Sequence, residues 1–241
     1  SLMATLVHDL DIPDMLLADG NAARPFESPP TAPPDAWLVK SLFGYAVWHY
    51  DDVTGILRDK RWHSAAGRIP ELMGVTDEQF LERQGVSILS AEGDVHLRLR
   101  RLVAPAFSPR QADRLRPFMR EVINGLVDKV AAAGKADVAV DICEPYPIPI
   151  ICELLGAPKS DWQLFSRWAN DILEIFSVDM ASKLDLIMRT QDELDAYTRQ
   201  LIAERRDKPA DDLLTDLIAM EEAGDRLSTD ELVMMVNAVI V

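Results

Sequence analysis

Apolar residues recur at helical spacing through most of the chain, and this periodicity limits the possible folds more than any other feature. Between residues 115 and 130 they repeatedly fill positions i, i+3, i+4 and i+7, which predicts an amphipathic helix ending near Gly134. The same pattern predicts shorter and longer helices at about 147–155, 162–176, 182–206 and 210–222. The sequence therefore predicts a mainly α fold from residue 95 onward.

The last predicted helix differs from the others because it is apolar on all sides. It is expected to begin at Ser228 or Thr229, where Glu231 completes a capping box with Ser228. Nine of the ten residues in 232–241 are apolar, the exception being Asn237. Such a helix belongs in the middle of a large protein, and ten residues are too few to span a membrane. We therefore expect these residues to form part of a larger domain.

The first third of the chain divides into an arm, a hairpin unit and a loop. Five prolines in residues 25–34 predict an extended surface segment. Two strand-like runs joined by a short glycine loop predict a β-hairpin, and a later stretch without periodicity predicts a long functional loop. In order, the predicted segments are an arm at 1–35, a hairpin with a short helix at 36–63, a loop at 64–91, and the helices of 92–241.

Composition excludes several classes of protein. The 241 residues include 40 acidic and 25 basic side chains, a formal charge of −15, which argues against a nucleic-acid partner. No apolar run is long enough to cross a membrane, and the acidic N-terminus is not a signal peptide, so we expect a cytoplasmic protein without a membrane partner. Cys143 and Cys152 have no histidine nearby, which predicts no metal site in this segment.

One basic segment stands out in this acidic chain. Residues 96–120 contain seven arginines and a single acid. If the segment starts as a helix, His96 and Arg100 lie on one face, where both donate hydrogen bonds to a dianionic ligand. Arg98 and Arg101 then point elsewhere, toward solvent or a partner. The alternative is a solvated basic face without a ligand.

Four segments resemble, in order, the cytochrome P450 family of haem-thiolate monooxygenases, and above all its soluble bacterial members. That family's first hairpin strand and B-helix resemble VWHYDDVTGILRDKRWHS, and its C-helix resembles GDVHLRLRRLVAPAFSPRQADRLRP. Its E- and F-helices resemble YPIPIICELLGAPKSDWQLFSRWAND, and the start of its I-helix resembles LSTDELVMMVNAVIV. The resemblance covers about residues 36–241. It implies the N-terminal part of the cytochrome P450 fold, with helices B to early I and a small β-hairpin.

The resemblance implies a b-type haem, ligated by a thiolate in the intact protein. The positions that correspond to haem-binding or haem-packing residues of the family are His96, Arg100, Leu89, Ser90 and Phe107. The apolar run before the C-helix and the helix at 162–176 are expected to shape a substrate pocket, over which the I-helix passes. The resulting substrate-binding candidates are Val86, Ile88, Phe176, Ala238 and Val241.

The sequence departs from the family pattern in four ways. Asp94 stands where the family often has proline, and no E-x-x-R motif occurs. Neither cysteine has the setting of the family's thiolate ligand, and the acid–alcohol pair of the I-helix is not present. The resemblance implies an intact enzyme that inserts one oxygen atom of O2 into an apolar organic substrate. We expect these residues alone to carry no catalytic residue and to be inactive.

Two other functions stay open at this point, and so does the electron donor. A peroxide-using relative needs no electron partner, and a non-catalytic helical binding module keeps the scaffold without the cysteine.

For the oxygenase, the resemblance implies an acidic ferredoxin-type donor. The basic side chains that haem does not need, Arg98, Arg101 and Arg110, are then expected to form much of its docking surface. The alternative is again a solvated face.

Overall fold

The computed structural model describes residues 7–15, 31–41, 44–85, 87–105, 107–177, 179–222 and 227–240. Within these ranges the fold is mainly helical and has one small antiparallel sheet of two strands, as the sequence predicts. The chain divides into two compact units, residues 1–64 and 65–241. Among the described residues, no helix has the length and apolar character needed to cross a membrane.

The first unit contains the predicted hairpin and one helix. Strand β1, Leu38–Ser41, pairs with strand β2, Gly44–Val47, so that Leu38 lies opposite Val47. Residues 42 and 43 of the connecting loop lie outside the described residues. Helix α1, Tyr50–Arg58, follows directly, with two aspartates in its first turn, where negative charge favours a helix N-terminus.

The second unit is built almost entirely of helices. The predicted helices at 147–155, 162–176, 182–206 and 210–222 are confirmed, with small shifts at their ends. In chain order the helices are α2 Ile69–Leu72, α3 Glu78–Gly85, α4 Gly93–Val103, α5 Pro109–Ala131, α6 Pro147–Leu155, α7 Trp162–Leu173, α8 Leu184–Asp207, α9 Leu213–Glu222 and α10 Thr229–Ile240.

The segment predicted as an irregular loop at 64–91 contains helices α2 and α3. Its periodicity is weak because a few separate side chains, rather than a full apolar stripe, are buried. Phe80 of α3 is almost fully buried and packs with Val75, Met180 and Ile187 in a small core of its own. The backbone N–H of Phe80 also donates to Asp77 Oδ1 at 2.8 Å, which caps the start of α3.

The main core lies among α6 to α10 and includes one face of α4. Helix α8 packs against α7, α9 and α10. Leu99 and Val103 of α4, which are 1% and 7% exposed, belong to the same buried cluster. The predicted capping box is also present, because the Ser228 N–H donates to the Glu231 carboxylate and the Glu231 N–H donates to Ser228 Oγ. Burial of these apolar faces is the main stabilising force of the unit.

A buried ion pair joins the ends of three helices around Gly156. Helix α6 ends at this glycine, whose φ is +67°, a left-handed conformation that side chains disfavour. Arg205 of α8 donates to the Gly156 carbonyl at 2.9 Å and pairs with Asp212 at 2.8 Å. Asp212 also accepts from the Thr215 N–H at the start of α9. The ends of α6, α8 and α9 are thereby held together.

We predict that Gly156→Ala lowers the free energy of unfolding by about 2–3 kcal/mol, measured by urea denaturation. The added Cβ would sit in a disfavoured backbone conformation and collide with the Asp212 and Arg205 side chains. Gly125→Ala is the matched control, because Gly125 is exposed within α5 and its Cβ would meet no atom. The control should be neutral or stabilising by up to about 1 kcal/mol. Equal stability of the two variants would contradict the role of the Gly156 junction.

Candidate functional site

Helix α4 presents His96 and Arg100 on one face, as their spacing predicts. The adjacent side of the helix is fixed by the burial of Leu99 and Val103 in the main core. His96 is half-buried and Arg100 is exposed, and both line an open recess of about 370 Å³. The other residues around this small recess are Ile88, Leu89, Val103, Ala104 and Phe107.

The small recess combines two hydrogen-bond donors with apolar walls. A histidine and an arginine four residues apart can together hold carboxylates at one edge of a ligand. Leu89 and Phe107 are 77% and 49% exposed, so their apolar surface is available to the body of that ligand. The arrangement fits a largely apolar molecule that carries negative charge at one edge.

The other predicted haem-contact residues divide between two environments. Leu89 and Phe107 line the small recess together with His96 and Arg100. Ser90 does not, because its hydroxyl donates to the carbonyls of Gln84 at 2.6 Å and Ser87 at 3.0 Å. Ile88, which was expected to contact substrate, lies in the small recess as well.

A second, larger recess of about 560 Å³ lies between α3, α7, α8 and α10. Two predicted substrate residues, Phe176 and Ala238, line it, and Leu89 lines both recesses. Further apolar side chains in its wall are Ile172, Leu173, Ile175, Leu194, Val233 and Met234. The predicted residues Val86 and Val241 lie outside the described residues, so their positions are not assigned.

The arginines expected at a docking surface differ in their surroundings. Arg98 forms an ion pair with Glu231 of α10, so it does not point only to solvent or a partner as expected. This pair joins α4 to the residue that caps α10, a contact between positions 133 residues apart. Arg101 is exposed on α4. The backbone of Arg110 lies in α5, and its side chain lies outside the described residues.

A chain of polar contacts beside the large recess was not predicted. Arg83 of α3 donates to Asp192 at 2.8 Å and to Asp195 at 2.5 Å. Asp195 accepts from the amide of Asn237 at 2.6 Å, and Asn237 accepts from Thr198 at 2.7 Å. Partial burial opposes the charged form of Arg83, but its hydrogen bonds to the two aspartates outweigh it and raise the pKa of Arg83. The signal in the sequence was Asn237, the one polar residue of an apolar run.

Neither cysteine lines the small recess. Cys152 is fully buried in α6, and burial, reinforced by the negative charge of Asp161, raises the pKa of its thiol to about 12. It therefore stays protonated at neutral pH. Cys143 is exposed at the end of the π-helical turn Val138–Cys143. Among the described residues, no three histidine, cysteine, aspartate or glutamate side chains are grouped as metal ligands.

No protein-family model matches the chain. Comparison with individual proteins does identify relatives. The chain is 33% identical over 207 residues to mycinamicin IV hydroxylase/epoxidase of Micromonospora griseorubida, covering 84% of this chain and 50% of that protein. It is 32% identical over 213 residues to cytochrome P450 107B1 of Saccharopolyspora erythraea, covering 86% of this chain and 49% of the relative. The chain thus spans about half the length of these curated relatives.

Solved structures agree with the sequence comparison. CalO2 superposes with a TM-score of 0.72 at 26% identity, over 85% of this chain and 52% of the other. Cytochrome P450 CYP109Q5 from Chondromyces apiculatus superposes with a TM-score of 0.69 at 29% identity, over 86% of this chain and 50% of the other. The sequence relatives and the structural neighbours are cytochrome P450s, and this chain is homologous to the N-terminal portion of the cytochrome P450 fold.

Proposed function

We propose that this chain forms part of a haem-dependent monooxygenase that adds one oxygen atom of O2 to an apolar organic substrate. Cytochrome P450s are haem-iron oxidoreductases, so homology to the family implies haem as the cofactor. When bound, the haem iron supplies oxygen activation, using two electrons from a donor protein. One relative is named for hydroxylation and epoxidation, and both of these reactions add a single oxygen atom.

The observation that carries the proposal is the convergence of His96 and Arg100 on an apolar recess. Haem is a flat apolar ring with two carboxylates at one edge, and the small recess offers donors at one place and apolar walls elsewhere. In the proposed complex, His96 and Arg100 donate hydrogen bonds to the propionates, which fixes the orientation of the ring. Leu89 and Phe107 pack against its apolar surface and exclude water from it.

The large recess is proposed to hold the substrate. Its wall is mostly apolar, and its volume lies within the range of about 300–1,000 Å³ that is common for small-molecule sites. Because Leu89 borders both recesses, a molecule in the large recess would lie beside the haem. Ala238 of α10 and Phe176 after α7 would then contact the substrate on two other sides.

The axial thiolate is proposed to come from outside these 241 residues. Cys152 is enclosed within the main core, and its raised pKa disfavours the thiolate form that binds iron. Cys143 lies on a different segment from the small recess. These residues alone are therefore proposed to be inactive and to hold haem only weakly.

An acidic ferredoxin-type protein is proposed as the electron donor. The chain carries a net charge of −15, so docking of an acidic partner requires a local concentration of positive charge. Segment 96–120 provides it, with Arg101 exposed on α4. We propose Arg101 as the leading contact and Arg110 as a neighbour. Arg98 adds little net positive charge to this surface, because Glu231 pairs with it.

Removal of Arg100 should weaken haem binding in the haem-loaded protein. Arg100→Ala deletes a charge-assisted hydrogen bond worth about 1.5–3 kcal/mol, which corresponds to haem loss roughly tenfold to a hundredfold faster. The measurement is the rate of haem transfer to an excess of a haem-binding acceptor protein.

Two neighbouring variants serve as controls for the Arg100 prediction. Arg101→Ala should leave haem loss unchanged, and Arg98→Ala should lower the melting temperature through the loss of its pair with Glu231. Equally fast haem loss from the Arg100 and Arg101 variants would indicate that the basic face is a solvated surface without a haem contact.

Charge reversal at Arg101 should slow electron transfer from an acidic ferredoxin. In Arg101→Glu the rate should fall severalfold at low ionic strength and converge with the parent rate at high salt, because screening removes the steering force. Arg189→Glu is the control, since it changes the net charge equally at an exposed position on α8. An unchanged electron-transfer rate at low salt would show that this surface does not dock the donor.

A further inference from the structure

The large recess has one polar wall, formed by side chains of α3, α8 and α10. Apart from Ser87, the rest of its lining is apolar, and two of these side chains, Leu89 and Phe176, are each 77% exposed. Such exposure leaves apolar surface in contact with water until a ligand covers it. The polar wall then decides which ligands can enter without losing hydrogen bonds.

The charges along this wall cancel in pairs. Four charged side chains line the large recess, namely Arg83, Asp195, Arg199 and Asp230. Arg83 binds Asp195 at 2.5 Å, and Arg199 binds Asp230 at 2.5 Å. A charged ligand would therefore have to give up its hydration without gaining an unpaired opposite charge, which disfavours its binding.

The amide of Asn237 is engaged at both ends. Its nitrogen donates to Asp195 at 2.6 Å, and its oxygen accepts from Thr198 at 2.7 Å. Thr198 has no exposed surface, so this contact lies inside the protein. Asn237 thus holds α10 against α8, and its oxygen, unlike that of Gln191, already has a donor.

Gln191 behaves differently from the other polar residues of the wall. Its Oε1 is buried and has no hydrogen-bond partner, and among the described residues that line the large recess it is the only buried side-chain polar atom in this state. Leaving a buried acceptor unpaired costs free energy that an apolar side chain would not. A binding site can recover that cost when a ligand supplies the missing donor.

We propose that Gln191 is a specificity-determining residue, which selects neutral, mainly apolar ligands that carry a hydroxyl or N–H donor. The inference rests on the proposed function, because it assigns the large recess to the substrate. The donor of the ligand binds Gln191 Oε1, and the hydrocarbon body covers Leu89 and Phe176. Gln191 lines the large recess but its oxygen is buried, so a rotation of the Gln191 side chain accompanies binding.

The test compares matched ligands that share a flexible ten-carbon chain. The probes are 1-decanol, which donates and accepts, decyl methyl ether, which only accepts, and two charged molecules, decanoate and decyltrimethylammonium. Affinities are measured by calorimetry on the haem-loaded protein, and the Soret band is recorded in parallel. We expect decanol to bind about tenfold more tightly than each of the other three, equivalent to about 1.4 kcal/mol.

Two variants of α8 test whether Gln191 is responsible for the preference for decanol. Gln191→Met removes the acceptor at similar volume and should bring the affinities for decanol and the ether within about twofold of each other. The same change should raise the melting temperature, because an unpaired buried oxygen is lost. Gln200→Met is the matched control, since Gln200 is exposed on α8 and binds only its neighbour Glu204 there. It should keep the preference for decanol.

Four outcomes separate this inference from the proposed function. A preference for decanol that depends on Gln191 supports the inference, and a Soret shift with it also supports the oxygenase. The same preference without a Soret shift upholds the inference and counts against the oxygenase. Equal affinity for decanol and the ether in the parent protein overturns the inference, even with a Soret shift. Failure of all four probes to bind overturns it as well.

Discussion

Burial of Leu99 and Val103 fixes the rotation of α4 about its own axis, and the candidate site depends on that rotation. Both side chains are held in the main core, where they are 1% and 7% exposed. Each lies three residues after one member of the His96 and Arg100 pair, so the pair is carried to the adjacent face of the helix. A rigid helix is a better support for a ligand contact than a loop.

The polar chain from Arg83 to Thr198 gives the large recess a defined shape. It links α3, α8 and α10 through side chains that all have partners, within a region otherwise packed by apolar contacts. A fully paired polar network specifies one arrangement of helices, since any other leaves buried groups unpaired. Gln191 lies on the same helix and has no such partner for its oxygen. The network accounts for the structure of the wall, and Gln191 accounts for its proposed selectivity.

The sequence predicted the structural features that depend on residues close together in the chain. Helix positions followed from apolar spacing, the cap of α10 followed from Ser228 and Glu231, and the shared face of His96 and Arg100 followed from their separation. Pairings across the fold could not be predicted this way. Arg98 meets Glu231 across 133 positions and Arg83 meets Asp195 across 112, and many other acids in so acidic a chain could have taken either place. Phe80 was missed because a single buried ring has no periodicity.

His96 and Arg100 are proposed to orient haem in the small recess. A crystal structure of the intact, haem-loaded protein is the decisive measurement. We expect propionate oxygens within about 2.7–3.2 Å of a His96 ring nitrogen and of the Arg100 guanidinium, with Leu89 and Phe107 against the ring. Propionates held by other side chains, with His96 and Arg100 facing solvent, would contradict it.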